Sequence, residues 1–123
     1  MNFKEKFPSF ACVGDTIHTS VNGFDVTARI EFDGDSRVDD ADCYDYASES
    51  AWQNGDWFYC GIVLSVSRKG VLIDEHAASV WGVEANFPGG NNSYLTDVAN
   101  ELLPEAIEHA KAMIPSIIEA LTA

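Results

Sequence analysis

Apolar and polar side chains alternate from residue 16 to residue 32, with one interruption at Asn22-Gly23. Ile17, Thr19, Val21, Phe24, Val26, Ala28, Ile30 and Phe32 fall on one side of this pattern. Thr16, His18, Ser20, Asp25, Thr27, Arg29 and Glu31 fall on the other. A period of two belongs to a half-buried β-strand. Asn-Gly is the strongest two-residue hairpin signal, because a type I′ turn needs positive φ at both central positions. The pattern therefore predicts a hairpin with Val21 opposite Phe24, Thr19 opposite Val26 and Ile17 opposite Ala28, and with the first-named face in the core.

The run Trp57 to Ser67, WFYCGIVLSVS, is the most apolar and β-prone of the chain. Phe58, Cys60, Ile62, Leu64 and Val66 share one face, and Trp57, Tyr59 and Val63 share the other. Large residues on both faces predict a central strand covered on both sides. Arg68-Lys69-Gly70 reads as a tight turn. Val71 to Glu75 returns as a strand, His76-Ala77-Ala78 is a break or bulge, and Ser79 to Ala85 reads as another strand. Phe10 to Val13 is a short apolar segment suited to an edge.

Two stretches break the alternation. Residues 32–45, FDGDSRVDDADCYD, are rich in aspartate, glycine and serine and predict a loop. Tyr46 to Asn54 comes next as a short helix, with Ala47 and Ala51 on one side, Trp52 next to them, and Asn54-Gly55 as its stop. Asn86 to Asn92, NFPGGNN, is a second loop, with Asn92 or Ser93 suited to cap a helix starting there. From Ser93 onward the period becomes helical. Leu95, Val98, Ala99, Leu102, Leu103, Ala106, Ile107, Ala110, Met113, Ile114, Ile117, Ile118 and Leu121 belong to one stripe. Pro104 and Pro115 each remove a backbone donor, so the region is either a kinked helix or restarting segments.

Together these elements predict a single α+β domain over residues 1–123. An antiparallel sheet of four to five strands carries a short helix after the first hairpin and a long C-terminal helical region packed on one face. The short helix, with Trp52 and Tyr46, is expected to cover part of the other face.

Charge narrows the function. Seven basic residues stand against twenty acidic ones, a net charge of -13. Such a chain repels phosphate backbones and anionic lipid, so direct contact with nucleic acid or membrane is disfavoured and basic protein partners are favoured. The three cysteines, Cys12, Cys43 and Cys60, form no CxxC and no disulfide framework. The N-terminus lacks an apolar signal region, and no apolar run reaches the ~20 residues of a membrane span. A reducing cytoplasm is the expected compartment.

The acidic loop is the leading candidate site. An EF-hand starting at Asp33 would need an oxygen ligand where Arg37 stands and glycine where Val38 stands, so the calcium pattern fails. Glu31, Asp33 and Asp35 alternate, which on a strand repeats carboxylates every ~7 Å. A DNA strand carries a charge every ~3.4 Å. A row on that scale imitates phosphates. The expected partner-binding residues are Glu31, Asp33, Asp35, Asp39, Asp40, Asp42, Tyr44, Asp45 and Trp52. Trp57 and Trp81 are further candidates for a pocket or interface. His18, His76 and His109 show no spacing for zinc, and Cys60 alternates into the core, where thiols are inert. No cofactor, metal or nucleophile–base set is expected.

DDADCYD, AWQNGDWFYCGIVLSVS, HAASVWGVEANFPGGNNSYL and VANELLPEAI together resemble an uncharacterised family of small acidic proteins from bacterial genomes and mobile elements. The resemblance runs from Phe10 to about Ile107. It implies no activity and no site residues. Its mobile-element setting implies a counter-defence role by analogy with small acidic DNA mimics. The resulting expectation is a non-enzymatic acidic protein-binding module that occupies a basic nucleic-acid-binding surface of a host enzyme. The alternatives are a structural or adaptor domain, compatible with a homodimer, and a small-ligand domain with a site near Asp74, His76 and Trp81.

Overall fold

The computed structural model describes residues 1–122; the side chain of residue 40 lies outside the described residues. Four strands, β1 (Thr16–Val21), β2 (Phe24–Phe32), β3 (Phe58–Arg68) and β4 (Val71–Ala85), form one antiparallel sheet in the order β1-β2-β3-β4. Helix α1 (Tyr46–Gln53) comes after the first hairpin and α2 (Ser93–Thr122) closes the chain. This is the expected α+β class.

The first hairpin has the predicted register, with Val21 against Phe24, Thr19 against Val26 and Ile17 against Ala28. Asn22 and Gly23 hold φ of 52° and 83°, the left-handed pair that a two-residue turn demands. One member of the expected core face is misplaced: Phe32 is 62% exposed. The pairing of β1 with β2 begins only at Thr16–Arg29, so the last residues of β2 run past the edge of β1. Phe32 there stacks on Phe58, with ring centroids 6.4 Å apart.

β3 lies inside the sheet and is covered on both faces, as its double-sided apolar pattern requires. Its return strand differs from expectation. Val71 to Ala85 is one continuous strand where two were expected, and the break or bulge expected at residues 76–78 is a bulge within it. Leu64 pairs with Ala78 but Val66 with Asp74, so β4 loops out extra residues between them. A second irregularity falls between Cys60–Val83 and Ile62–Val80. Bulges let a long edge strand bend and re-aim its side chains without ending.

The segment before β1 is no fifth strand. It is an arm whose Phe3, Phe7 and Ala11 are buried in the main core, while Phe10 is 70% exposed. The backbone N–H groups of these three buried residues donate to side chains: Asn100 Oδ1 at 2.7 Å, Thr96 Oγ1 at 3.0 Å and Asn86 Oδ1 at 2.7 Å. Burying each phenylalanine contributes about 1.5–3 kcal/mol. The arm also shields the open edge of β1, where Glu5 Oε1 accepts from the His18 N–H at 2.7 Å.

Helix α2 lays Leu95, Ala99, Leu102, Leu103, Ala106, Ile107 and Ala110 on the core face. It is continuous through Pro104 and Pro115, both exposed, although each proline removes a backbone donor. Beyond Ala110 the stripe emerges: Ile114 and Ile117 are half-buried, Ile118 and Leu121 exposed.

The other face carries a smaller core of Val38, Trp57 and Tyr59, with Tyr44, Ala51, Trp52 and Phe87 packed on it. The loop and α1 form its lid. Trp57 is fully buried and its indole N–H donates to the Ser48 carbonyl at 2.9 Å. Tyr46, expected in this lid, is instead 85% exposed at the start of α1. Two-sided burial of β3 thus comes from two unequal layers.

Candidate protein-interaction site

The bulge near the end of β4 organises the surface around the acidic loop. Because the register jumps between Val83 and Val80, Trp81 swings across the sheet and lies on Gly61 of β3. A Cβ at Gly61 would sit 2.7 Å from Trp81 Cδ2 and closer still to two other ring carbons. Glycine in a strand here marks a close approach, and the indole replaces the missing side chain. The Trp81 Nε1–H donates to Ser79 Oγ at 3.2 Å, so the ring is fixed at both ends while remaining 47% exposed.

The same bulge turns the Gly82 N–H outward, and Asp33 Oδ2 accepts it at 2.8 Å. Asp33 also accepts from the Asp35 N–H at 2.9 Å, the Ser36 N–H at 3.2 Å and the Ser36 hydroxyl at 2.8 Å. Only 7% of Asp33 is exposed. Burial raises its pKa, but the Ser36 hydroxyl and the three N–H donors outweigh that, and the carboxyl titrates below its ordinary range. Asp33 therefore pins the start of the loop to β4.

The remaining carboxylates divide between internal and outward roles. Glu31 is paired with Arg29 at 2.6 Å, and Arg29 also reaches Ser65, the Glu75 carbonyl and His76 Nε2. Asp39 is paired with Arg37 at 3.1 Å, and that guanidinium stacks 5.3 Å over the Trp52 ring. Asp45 caps α1, accepting from the Ser48 N–H at 2.8 Å; the Ser48 hydroxyl and N–H lower its pKa. Asp35 and Asp42 are exposed. The side chain of Asp40 lies outside the described residues.

Tyr44 is half-buried. It packs on Trp57 and Phe87, with centroids 5.3 and 6.0 Å away, and its hydroxyl donates to Glu84 while accepting from Tyr59 Oη at 3.0 Å. Burial, then the Glu84 carboxylate, raise its pKa, so the phenol stays protonated. Trp52 is half-buried beside it. Of the nine expected partner-binding residues, Glu31, Asp33, Tyr44 and Asp45 thus serve the fold, Asp35 and Asp42 face outward, and Asp39 and Trp52 straddle Arg37.

An open cleft of about 500 Å³ is lined by Phe32, Asp33, Gly34, Asp35, Ser36 and Trp81. A shallower recess of about 320 Å³, which includes Arg37, Tyr44 and Tyr59, shares Asp35 and Ser36 with it. The cleft therefore combines two exposed aromatic rings, Phe32 and Trp81, with the exposed carboxylate of Asp35.

The other candidate groups do not converge. Asp74 turns to the core-side layer, its Oδ2 2.6 Å from His109 Nδ1 on α2. The His76 ring meets Arg29 on the opposite face. Among the described residues, no three His, Cys, Asp or Glu side chains gather on a metal-sized site. Burial, then the Asp33 charge, push the Cys60 thiol up to about 12. Asn92 does not cap α2 with its side chain. Its amide turns back to Asn86 and Ser9, and its carbonyl accepts from the Leu95 N–H at 3.0 Å. Among the described residues, no helix is long and apolar enough to cross a membrane.

Compared with protein-family models, curated proteins and solved structures, the chain matches none.

Phe32, Ser36, Gly61 and Trp81 were not singled out for this surface by the sequence pattern, apart from Trp81 as a general interface candidate. The available signal was Gly61, a glycine inside the most apolar strand, which calls for an aromatic neighbour across the sheet.

Proposed function

We propose that this chain is a non-enzymatic, acidic protein-binding module that receives a basic partner at the cleft between the Asp33–Ser36 turn and Trp81. The observation that carries this reading is the fixed, exposed Trp81 ring in one cleft with the outward carboxylate of Asp35. A rigid tryptophan supplies contact area at low entropic cost and a π-face for an arginine or lysine. The net charge of -13 steers a cationic partner and fixes its orientation.

The preferred partner is a protein whose own basic surface holds nucleic acid, since that surface already accepts closely spaced anions. The resemblance to acidic proteins of mobile elements supports a counter-defence setting. Imitation of a phosphate row by successive strand positions finds no support, because Asp33 turns inward between Glu31 and Asp35. The reading rests on charge density with an aromatic anchor.

The experiment is capture from a bacterial extract on the immobilised protein. Captured proteins should be basic, should be released as salt rises from about 50 to about 200 mM, and should be displaced by added DNA. Capture that ignores both salt and DNA would refute the reading.

A further inference from the structure

We propose that the apolar groove between the β3–β4 turn and the last turns of α2 seats a second copy of this chain, forming a two-fold dimer. The groove encloses about 240 Å³ between Val71 and Ile73 of β4 and Ile114, Ile117 and Ile118 of α2. It exists because α2 outruns the sheet. The stripe of residues 114, 117, 118 and 121 keeps helical spacing, yet Ile118 is 56% and Leu121 78% exposed. On the strand side, Val71 is 56% exposed. A contiguous apolar patch of this kind marks an interaction surface.

Charge selects the occupant. A chain of net charge -13 repels its own copies over most approaches. This groove is an exception. Arg68 and Lys69, two of only seven basic residues, stand at its end, and the only acidic residue after Glu108 is Glu119, next to Ile118. In an antiparallel crossing of two α2 helices, Ile118 and Leu121 of each copy enter the other's groove. Glu119 of each copy then meets Lys69 of the other. The contact is self-complementary, as a two-fold interface must be.

Competing routes to self-association are blunted in the fold. The β1 edge is shielded by the N-terminal arm, and the β4 edge is interrupted by three register shifts. The α2 groove is on a different part of the surface from the Trp81 cleft and shares none of its lining residues. A dimer would therefore present two copies of that cleft.

Sedimentation velocity of the full chain from about 1 to about 500 μM tests this, since dimer population depends on concentration. The wild type should pass from monomer to dimer. I118D and L121D change exposed positions and should remain folded by circular dichroism, yet stay monomeric throughout. K69E and E119K should each weaken the dimer about tenfold through two lost pairs, and K69E/E119K should restore most of it. A wild type that is monomeric at every concentration, a dimer unmoved by I118D and L121D, or a double charge swap that restores nothing would overturn the proposal.

Discussion

Asn86 and Asn92 hold one another in a closed pair of hydrogen bonds. The Asn92 amide donates to Asn86 Oδ1 at 2.8 Å, and the Asn86 backbone N–H donates to Asn92 Oδ1 at 2.8 Å. The Asn86 side chain then binds Ala11 as a strand would, accepting from its N–H at 2.7 Å and donating to its carbonyl at 2.9 Å. The Asn92 amide also donates to the Ser9 carbonyl at 2.9 Å. Both asparagines hold positive φ, 63° and 64°, a conformation their short polar side chains tolerate. Together they lock the arm to the loop before α2. N92A strands several of these groups at a site 2% exposed and should destabilise the protein by about 3 kcal/mol in urea unfolding. Limited proteolysis should then cut within residues 1–11 before the sheet opens.

Gly61 and Trp81 are a second locked pair. G61A places a methyl inside the indole, so Trp81 must leave its seat or the strands must part. The expected cost is about 1–3 kcal/mol. The double variant G61A/W81A should recover most of it, because the clash is removed with the ring. Unfolding curves of the two single variants and the double variant measure the coupling.

Asp33 links stability to pH. Its folded pKa is depressed, so its contribution is full above the ordinary aspartate value of ~3.9 and is lost as pH falls through the lower folded value. D33N keeps the shape but sets an amide against N–H donors, and should cost about 1–3 kcal/mol at neutral pH. Its stability should also fall less steeply than that of the wild type on acidification below about pH 4. Equilibrium unfolding across that range reads both effects.

The cysteines should separate by accessibility. Cys12 and Cys43 are exposed, while Cys60 is buried with its thiol pushed up to about 12. A disulfide-exchange reagent at neutral pH should titrate two thiols in the folded chain and the third only after denaturant is added.

Much of the fold was legible because local patterns there agreed with tertiary packing. The Asn22-Gly23 turn fixed its own register, and the two-faced run at residues 57–67 required cover on both sides. The arm was illegible because Phe3 and Phe7 repeat at helical spacing without forming a helix; their N–H groups find side-chain acceptors on α2 nearly ninety or more residues away. The length of β4 was illegible because bulges break the period-two pattern without breaking the strand. The candidate site suffered from the same cause. Carboxylates were counted as outward by composition, yet Asp33 is drawn inward by a Gly82 N–H that only the bulge at Trp81 exposes. Trp81 was visible as an exposed aromatic, but its seat on Gly61 depends on a register that the sequence does not display.

The central claim, proposed above, is that a basic partner is held by Trp81 with Asp35 at the cleft. Its most direct test is the dissociation constant of a captured partner for the wild type, W81A and D35N, each at about 50 and about 200 mM salt. W81A should weaken binding at least about tenfold at both salts, as loss of an anchoring aromatic does. D35N should weaken it chiefly at low salt and flatten the salt dependence. Equal affinity of all three proteins at both salts would contradict the account.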